Sequence, residues 1–337
     1  MAERLLRALG GLAVVTPFVV GLTAAGVDRE AREVFRFQDP EIVESSGLVI
    51  EGDLAHTTND SGDTGRIFTV DISTGETVGE TFWADGPEDV EALAPAGTGH
   101  VWVGDIGDNA ASRDSIEVTR VPVGRGDRTV SEENFELVYP DGQRDAESLL
   151  VHPVTGRLYV ATKGFFEGSL YAAPPELADD APNVLGLVGT TAGIVTDGAF
   201  FPDGDHLILR TYTNAVVYSF PALEPVGSFD LPEQQQGEGI AVLSTDFVHV
   251  SSEGQRAPVL RVPVPERIRQ VLSPVPSPPA SGQVSSAPSA TPESTGGTTS
   301  VKDITTEARD RDAWPWIGGS VVLLVSLVVL VRSLKPR

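Results

Sequence analysis

From Val34 onward, short apolar runs alternate with polar turns, and the runs fall into sets of four. HVWVGD (100–105), RLYVATK (157–163), HLILRTY (206–212) and FVHVSS (247–252) are rich in β-branched and aromatic residues and are bounded by Gly, Pro and Asp. Segments of that length and composition between turn residues read as strands. AHTTND (55–60) is the matching run nearest the N-terminus. Each is preceded by an acid-or-Ser, small, apolar motif: Glu44-Ser45-Ser46-Gly47-Leu48, Asp89-Val90-Glu91-Ala92-Leu93, Asp145-Ala146-Glu147-Ser148-Leu149, Val195-Thr196-Asp197-Gly198-Ala199 and Gln236-Gly237-Glu238-Gly239-Ile240. The copies are spaced about 41 to 56 residues apart, the range of propeller blades.

A third run follows each second: RIFTVD, IEVTRVP, SLYAAP, AVVYSF and VLRVPV. A fourth closes four of the units: TVGETFW, ENFELVY, NVLGLVG and PVGSFDL. Four strands per repeat is the layout of a β-propeller blade. The fifth unit has no fourth run, but Val34-Phe35-Arg36-Phe37 stands before the first motif where a fourth strand would. The expected fold is therefore all-β, a propeller of five four-stranded blades closed by an N-terminal strand, leaving no long open edge. A β-sandwich with incidental self-similarity, or a ring of six or more blades, is the competing fold.

The two ends of the chain have a different pattern. Arg4 and Arg7 precede an apolar run from Leu9 to Leu22 and small residues from Thr23 to Gly26, the order of a secretory signal peptide. Near the other end, Trp314-Pro315-Trp316 leads into IGGSVVLLVSLVVLV, then Arg332, Lys335 and Arg337. With the tryptophans at one interface and the basic tail inside, this reads as a transmembrane helix. It resembles a cell-wall sorting tail, but no LPxTG precedes it. The organisation expected is a signal peptide over 1–27, or an uncleaved anchor, a propeller over 28–265 and a Pro/Ser/Thr-rich disordered stalk over 266–312. A membrane helix over 313–334 and a cytoplasmic tail over 335–337 complete it. The stalk composition cannot bury a core. In the extended limit it reaches ~100 Å or more.

Charge and composition narrow the partners. The 337-residue chain carries a net charge of −24, and five of its basic residues sit in the two terminal segments, so the outward part is more acidic still. Such a surface repels nucleic acid and favours cations or cationic ligands, although solubility and salt tolerance explain it equally. There is no cysteine, which excludes disulfides, thiolate metal sites and a Cys nucleophile. The five histidines fall in runs and turns of the repeat, where scaffold roles are expected.

If the motif strand lies nearest the axis and the second strand returns antiparallel, the motif acids and the loops after the second strands meet at one channel mouth. That gathers Ser46, Glu91, Glu147, Asp197 and Glu238, with Glu44, Asp89, Asp145, Val195 and Gln236 flanking. The second-strand ends bring Asn59-Asp60-Ser61-Gly62-Asp63 and Asp105-Ile106-Gly107-Asp108-Asn109, aligned as xDxGD, then Lys163, Arg210 with Tyr212, and Glu253. In one reading Asp60, Glu91, Asp105, Glu147 and Glu238 hold a hard cation, calcium first, through oxygen ligands. Lys163 or Arg210 would then take an anionic or carbonyl group, and a metal-activated water could hydrolyse it. In the other, the acids accept backbone NH groups and lock each blade to the next, as repeated Asp and Gly do in turns.

There is no GxSxG, HExxH or P-loop, and no Ser/His/Asp set can be nominated. The segments HTTNDSGDTGRIFTVDISTGE, WVGDIGDN and YPDGQRDAESLLVHPVTGRLYVATK resemble a group of exported bacterial β-propeller proteins, found especially in actinobacteria, without an assigned activity. Gly237-Glu238-Gly239-Ile240 with Ser252-Glu253-Gly254 more distantly resembles phytase-like and esterase-like propellers. That second resemblance implies calcium and hydrolysis of phosphate or carboxylic esters, without a recognised catalytic set. The expectation is a membrane-anchored extracellular domain binding an envelope protein or a small anionic ligand. A calcium-dependent hydrolase and a structural domain of envelope assembly are the alternatives.

Overall fold

In a computed structural model, residues 30–272 are described, except 61, 85, 132 and 133. The expected signal peptide, transmembrane helix and nearly all of the expected stalk lie outside them. No helix among the described residues is long and apolar enough to cross a membrane.

The described chain is a five-bladed β-propeller. Blade one is β2 (Ser45–Glu51), β3 (Leu54–Asn59), β4 (Gly65–Asp71) and β5 (Thr77–Ala84). Blade two is β6 (Val90–Pro95), β7 (His100–Asp105), β8 (Ile116–Pro122) and β10 (Asn134–Val138). Blade three is β11 (Ala146–Val151), β12 (Leu158–Thr162), β13 (Glu167–Ala172) and β15 (Gly186–Ala192). Blade four is β16 (Asp197–Phe200), β17 (His206–Arg210), β18 (Asn214–Ser219) and β19 (Pro225–Asp230). Blade five is β20 (Ile240–Val242), β21 (Phe247–Val250), β22 (Pro258–Pro263) and, from the other end of the chain, β1 (Arg32–Arg36), antiparallel to β22.

The motif strands are the inner ones. Each packs against the next, β2 on β6, β6 on β11, β11 on β16, β16 on β20, and β20 back on β2. They are buried along almost their whole length, whereas the outer β15 and β19 are mostly exposed or half-buried. The core is divided accordingly into five apolar clusters, one between each pair of neighbouring blades. Ile67 and Trp83 meet Leu93 and Val103; Ile106 and Val118 meet Leu149 and Tyr171; Tyr159 and Leu170 meet Leu207 and Tyr218. Ile208 and Val217 meet Val248 and Val262, and Phe37 and Val259 meet Leu48 and Phe68.

Three short elements extend this plan beyond the sequence reading. Between β8 and β10 the chain returns to blade one, where β9 (Arg128–Thr129) pairs parallel with β5. Between β13 and β15 it returns to blade two, where β14 (Asn183–Val184) pairs parallel with β10. After β22 comes α1 (Glu266–Leu272), which lies on the outer strand of blade four: Arg267 donates to the Ser228 carbonyl at 2.6 Å. Ile268 and Leu272 are buried in the cluster between blades four and five. The expected start of the stalk at residue 266 is thus corrected, because the first seven residues carry two apolar side chains worth about 1.5–3 kcal/mol each on burial.

Gly47 marks the tightest approach of inner strands. Its φ is +70°, and a Cβ there would stand 2.4 Å from the Leu93 nitrogen of β6. Gly52, also left-handed at +62°, has nothing within 4 Å. Gly47→Ala should cost about 3 kcal/mol, strain plus a backbone clash, and Gly52→Ala only ~1 kcal/mol of strain. Denaturant unfolding of the two variants checks this, and equal losses would contradict the close blade contact.

Candidate functional site

The sequence-equivalent acids do not share one fate, and the reason lies in strand register. In β6 the pairing jumps from Val90–Asp105 to Ala92–Gly104, and in β11 from Ala146–Thr162 to Ser148–Ala161. Glu91 and Glu147 are each the extra residue of a β-bulge, which turns a side chain out of the ladder. In β16 the ladder runs without a break from Asp197–Arg210 to Gly198–Leu209. Asp197 therefore stays within the sheet packing, fully buried. It accepts the Gly198 and Ile240 NH groups, both at 2.7 Å, so it ties β16 to β20. Ser46 likewise donates to the Glu91 carbonyl at 2.6 Å across blades one and two. Ser46 and Asp197 are blade locks, whereas Glu91, Glu147 and Glu238 form a buried acid group around the axis.

The xDxGD alignment also shifts by one residue. Ser45 pairs with Asn59, and Val90 with Asp105. Asn59 accepts the NH groups of Val43 and Glu44, and Asp105 accepts those of Glu88 and Asp89 at 2.8 and 2.9 Å. Asn59 is thus the structural counterpart of Asp105. Asp105 is engaged further by Arg113 at 2.7 Å. Asp108 accepts the NH groups of Ser112 and Arg113, and its own NH meets Asp145 at 2.9 Å. Asp63 pairs with Arg66 at 2.9 Å. Asn109 is exposed. Asp60 is not the counterpart of Asp105, and its carboxylate comes within 4.8 Å of those of Asp89 and Glu91. These three offer the one carboxylate cluster with cation-ligand spacing among the described residues, with Asp89 where the sequence reading had Asp105. Gly107 makes room for it: a Cβ there would sit 2.3 Å from Asp89 Oδ2 and 2.7 Å from Glu91 Oε1. The repeat motif had placed Asp89 in the flanking set, and the glycine at that turn is the sequence signal that brings it against Glu91.

Lys163 occupies the place in blade three that Asp60 holds in blade one. Its NH donates to Asp145 and that of Asp60 to Glu44, each at 2.9 Å. Its ammonium is ion-paired with Glu147 and stands 5.6 Å from the Tyr212 ring centroid. Glu253 accepts from Gln236 at 2.6 Å at the edge of the same mouth. Arg210 differs from the expectation. It is fully buried, and its guanidinium donates to the carbonyls of Gly239 at 2.8 Å and Ser251 at 3.1 Å. Gly237 leaves it space, since a Cβ there would lie 1.9 Å from Nη2. Arg210 fastens blade four to blade five and does not reach a ligand.

The electrostatics follow from burial. Glu91 is 5% exposed and Glu238 6%, and neither carboxylate has a hydrogen-bond donor among the described residues, with Glu238 Oε2 fully enclosed. Burial raises both groups above the usual carboxylate range and neighbouring acids add to it; at Glu238 the cations Lys163 and Arg210 pull the other way, and the group is still pushed up to about 8. Burial also raises Glu147, against the pull of Lys163. Burial raises Asp197, while the NH groups of Ile240 and Gly198 oppose it. Burial lowers Arg210 to about 10. At neutral pH Glu91 and Glu238 therefore hold protons in place of buried charge, and a cation entering the mouth would take the place of such a proton.

The opposite end of the inner strands is apolar. Val49, Leu93, Leu149, Leu150, Ala199, Ala241 and their neighbours line a cavity of about 590 Å³ there.

No family model matches the chain, and no curated protein matches it. Among solved structures it is similar to the β-propeller domain of Cps50 (Swd1) from Myceliophteria thermophila, at 9% identity with a TM-score of 0.39. The match covers 70% of this chain and 100% of that one. No residue of the mouth follows from that likeness.

Replacing Arg210 with Met should remove two buried carbonyl partners and lower stability by about 3 kcal/mol or more. A melting temperature like that of the parent would contradict the fastening role.

Proposed function

We propose that the chain is an exported, membrane-tethered propeller of the cell envelope whose acidic mouth recognises a positively charged ligand. The observation that carries this is the pair Glu91 and Glu238, buried beside Glu147 with no hydrogen-bond donor or ion pair among the described residues, while Lys163 is ion-paired with Glu147. Burying carboxylates without compensation is costly, and scaffold alone does not require it. The tether rests on the sequence patterns at the two ends, and the envelope location on the resemblance to exported bacterial propellers.

β22 runs away from the mouth, with Pro263 paired to Phe247 at the far end, and Arg269 of α1 reaches Asp246 there at 3.1 Å. β22, the last strand of the described chain, thus ends on the side opposite the acids.

A calcium-dependent hydrolase is the second reading, favoured by the Asp60–Asp89–Glu91 spacing. It needs an asymmetric catalytic set, and Arg210, one of its two candidate anion-binding residues, is buried.

The pH dependence has a definite sign. Glu238 is raised to about 8, from about 4.3 in an unfolded chain, so between those values the folded chain holds the extra proton. Stability without ligand should therefore fall as pH rises through that window. A bound cation displaces the proton and should stabilise the fold at pH 8 and hardly at pH 5. Melting curves of the full chain at both pH values, with chelator, calcium or n-butylammonium, test this. A melt unmoved by either cation at pH 8 would overturn the recognition reading. A calcium shift accompanied by ester turnover would favour the hydrolase.

A further inference from the structure

We propose that what enters the mouth is an extended segment of a partner protein, carrying a lysine or arginine beside an apolar side chain. This deepens the recognition reading and rests on it. The cation reaches Glu91 and Glu238, and the apolar side chain rests on Phe165 and Phe166 at the rim.

Phe165 and Phe166 are 77% and 89% exposed, the most exposed large apolar side chains among the described residues. They stand edge to face with ring centroids 4.8 Å apart. They do not fold inward because their backbone is clamped. A Cβ on Gly164 would lie 1.8 Å from the Glu167 carbonyl oxygen. One on Gly193 would lie 2.7 Å from the Gly164 oxygen and from the Phe166 carbonyl carbon. The Ile194 NH, in a residue at φ +56°, donates to the Gly164 carbonyl at 2.8 Å. The loop is thus pinned between blades three and four and holds two aromatic rings in water, with Ile194 exposed next to them. Paired aromatic side chains held out by a rigid loop are the anchors expected of a protein interface.

The same loop starts at Lys163, whose ammonium descends to Glu147. Rim and mouth are therefore two residues apart in sequence. Lys163 is ion-paired with Glu147, whereas neither Glu91 nor Glu238 has an ion pair among the described residues, and Glu238 Oε2 is enclosed without a hydrogen-bond partner. Charge complementarity selects a basic partner. A bare metal ion would use the carboxylates and leave the rings idle, and a second copy of a chain of net charge −24 would be repelled. A long aliphatic stem ending in a cation is suited to passing from an apolar rim to a buried carboxylate.

The test pans a phage-displayed library of random dodecapeptides on the full chain at pH 8 and measures the enriched peptides by calorimetry. The result expected is enrichment of Lys or Arg next to an aromatic or aliphatic residue. Binding should weaken at least about tenfold both in the Phe165→Ser/Phe166→Ser double variant and in Glu238→Gln. The two phenylalanines are exposed, so the double variant should melt like the parent, and Glu238→Gln keeps the shape of the side chain. Lack of enrichment, enrichment without a basic residue, or affinity within twofold in the double variant would overturn the proposal. If n-butylammonium still stabilises the chain in that event, recognition of a cation stands and the protein partner falls. If it does not, both fall.

Discussion

Each blade is a sheet buried on both faces, because its only apolar partners are the two blades beside it. The five clusters close in a cycle, so every inner strand must meet its neighbours at short range and satisfy its polar groups across the gap. Much of the polar chemistry follows from this. Ser46, Thr196, Asp197 and Arg210 are engaged with carbonyl or NH groups of the next blade. Gly47 and Gly239 are small because another blade occupies the space of a side chain. Only at the mouth, where inner strands bulge or have not begun, do acids escape that demand.

That constraint separates architecture from site in what was legible beforehand. The repeat revealed the inner strands, the order of the three that follow, and the strand borrowed from the N-terminal side, since each is a run of four or more apolar-rich residues. β9 was not legible, because two residues of pairing leave no periodicity, and the run NVLGLVG reads as one strand where the structure divides it: Asn183–Val184 pairs with blade two and blade three's outer strand starts at Gly186. α1 was hidden by the prolines on either side of it, although Ile268 and Leu272 stand four apart, as one helix face requires.

The site was legible in composition and misread in position. Aligning Asp60 with Asp105 was natural on letters, but register places Asn59 there, and an amide does in blade one what a carboxylate does in blade two. The equivalence of Glu91, Glu147 and Asp197 fails because a bulge is a property of pairing, which the motif does not encode. Arg210 reads as a mouth cation in sequence for the same reason. The aromatic pair at 165–166 is not legible in the sequence, because a two-residue apolar stretch after a strand carries no pattern; its exposure alone gives it meaning.

The first and last strands of the described chain lie side by side in the fifth sheet, and this gives the domain a mechanical polarity. β22 is held between β21 and β1, with its last residue on the face away from the mouth. A pull on the C-terminal side against a ligand held at the mouth loads β22 along its length, so the hydrogen bonds on both flanks resist together in shear. A pull that separates the two ends meets β1 and β22 at the same end of the ladder and opens it one bond at a time. A tether at one end only therefore loads the sheet in its stronger direction.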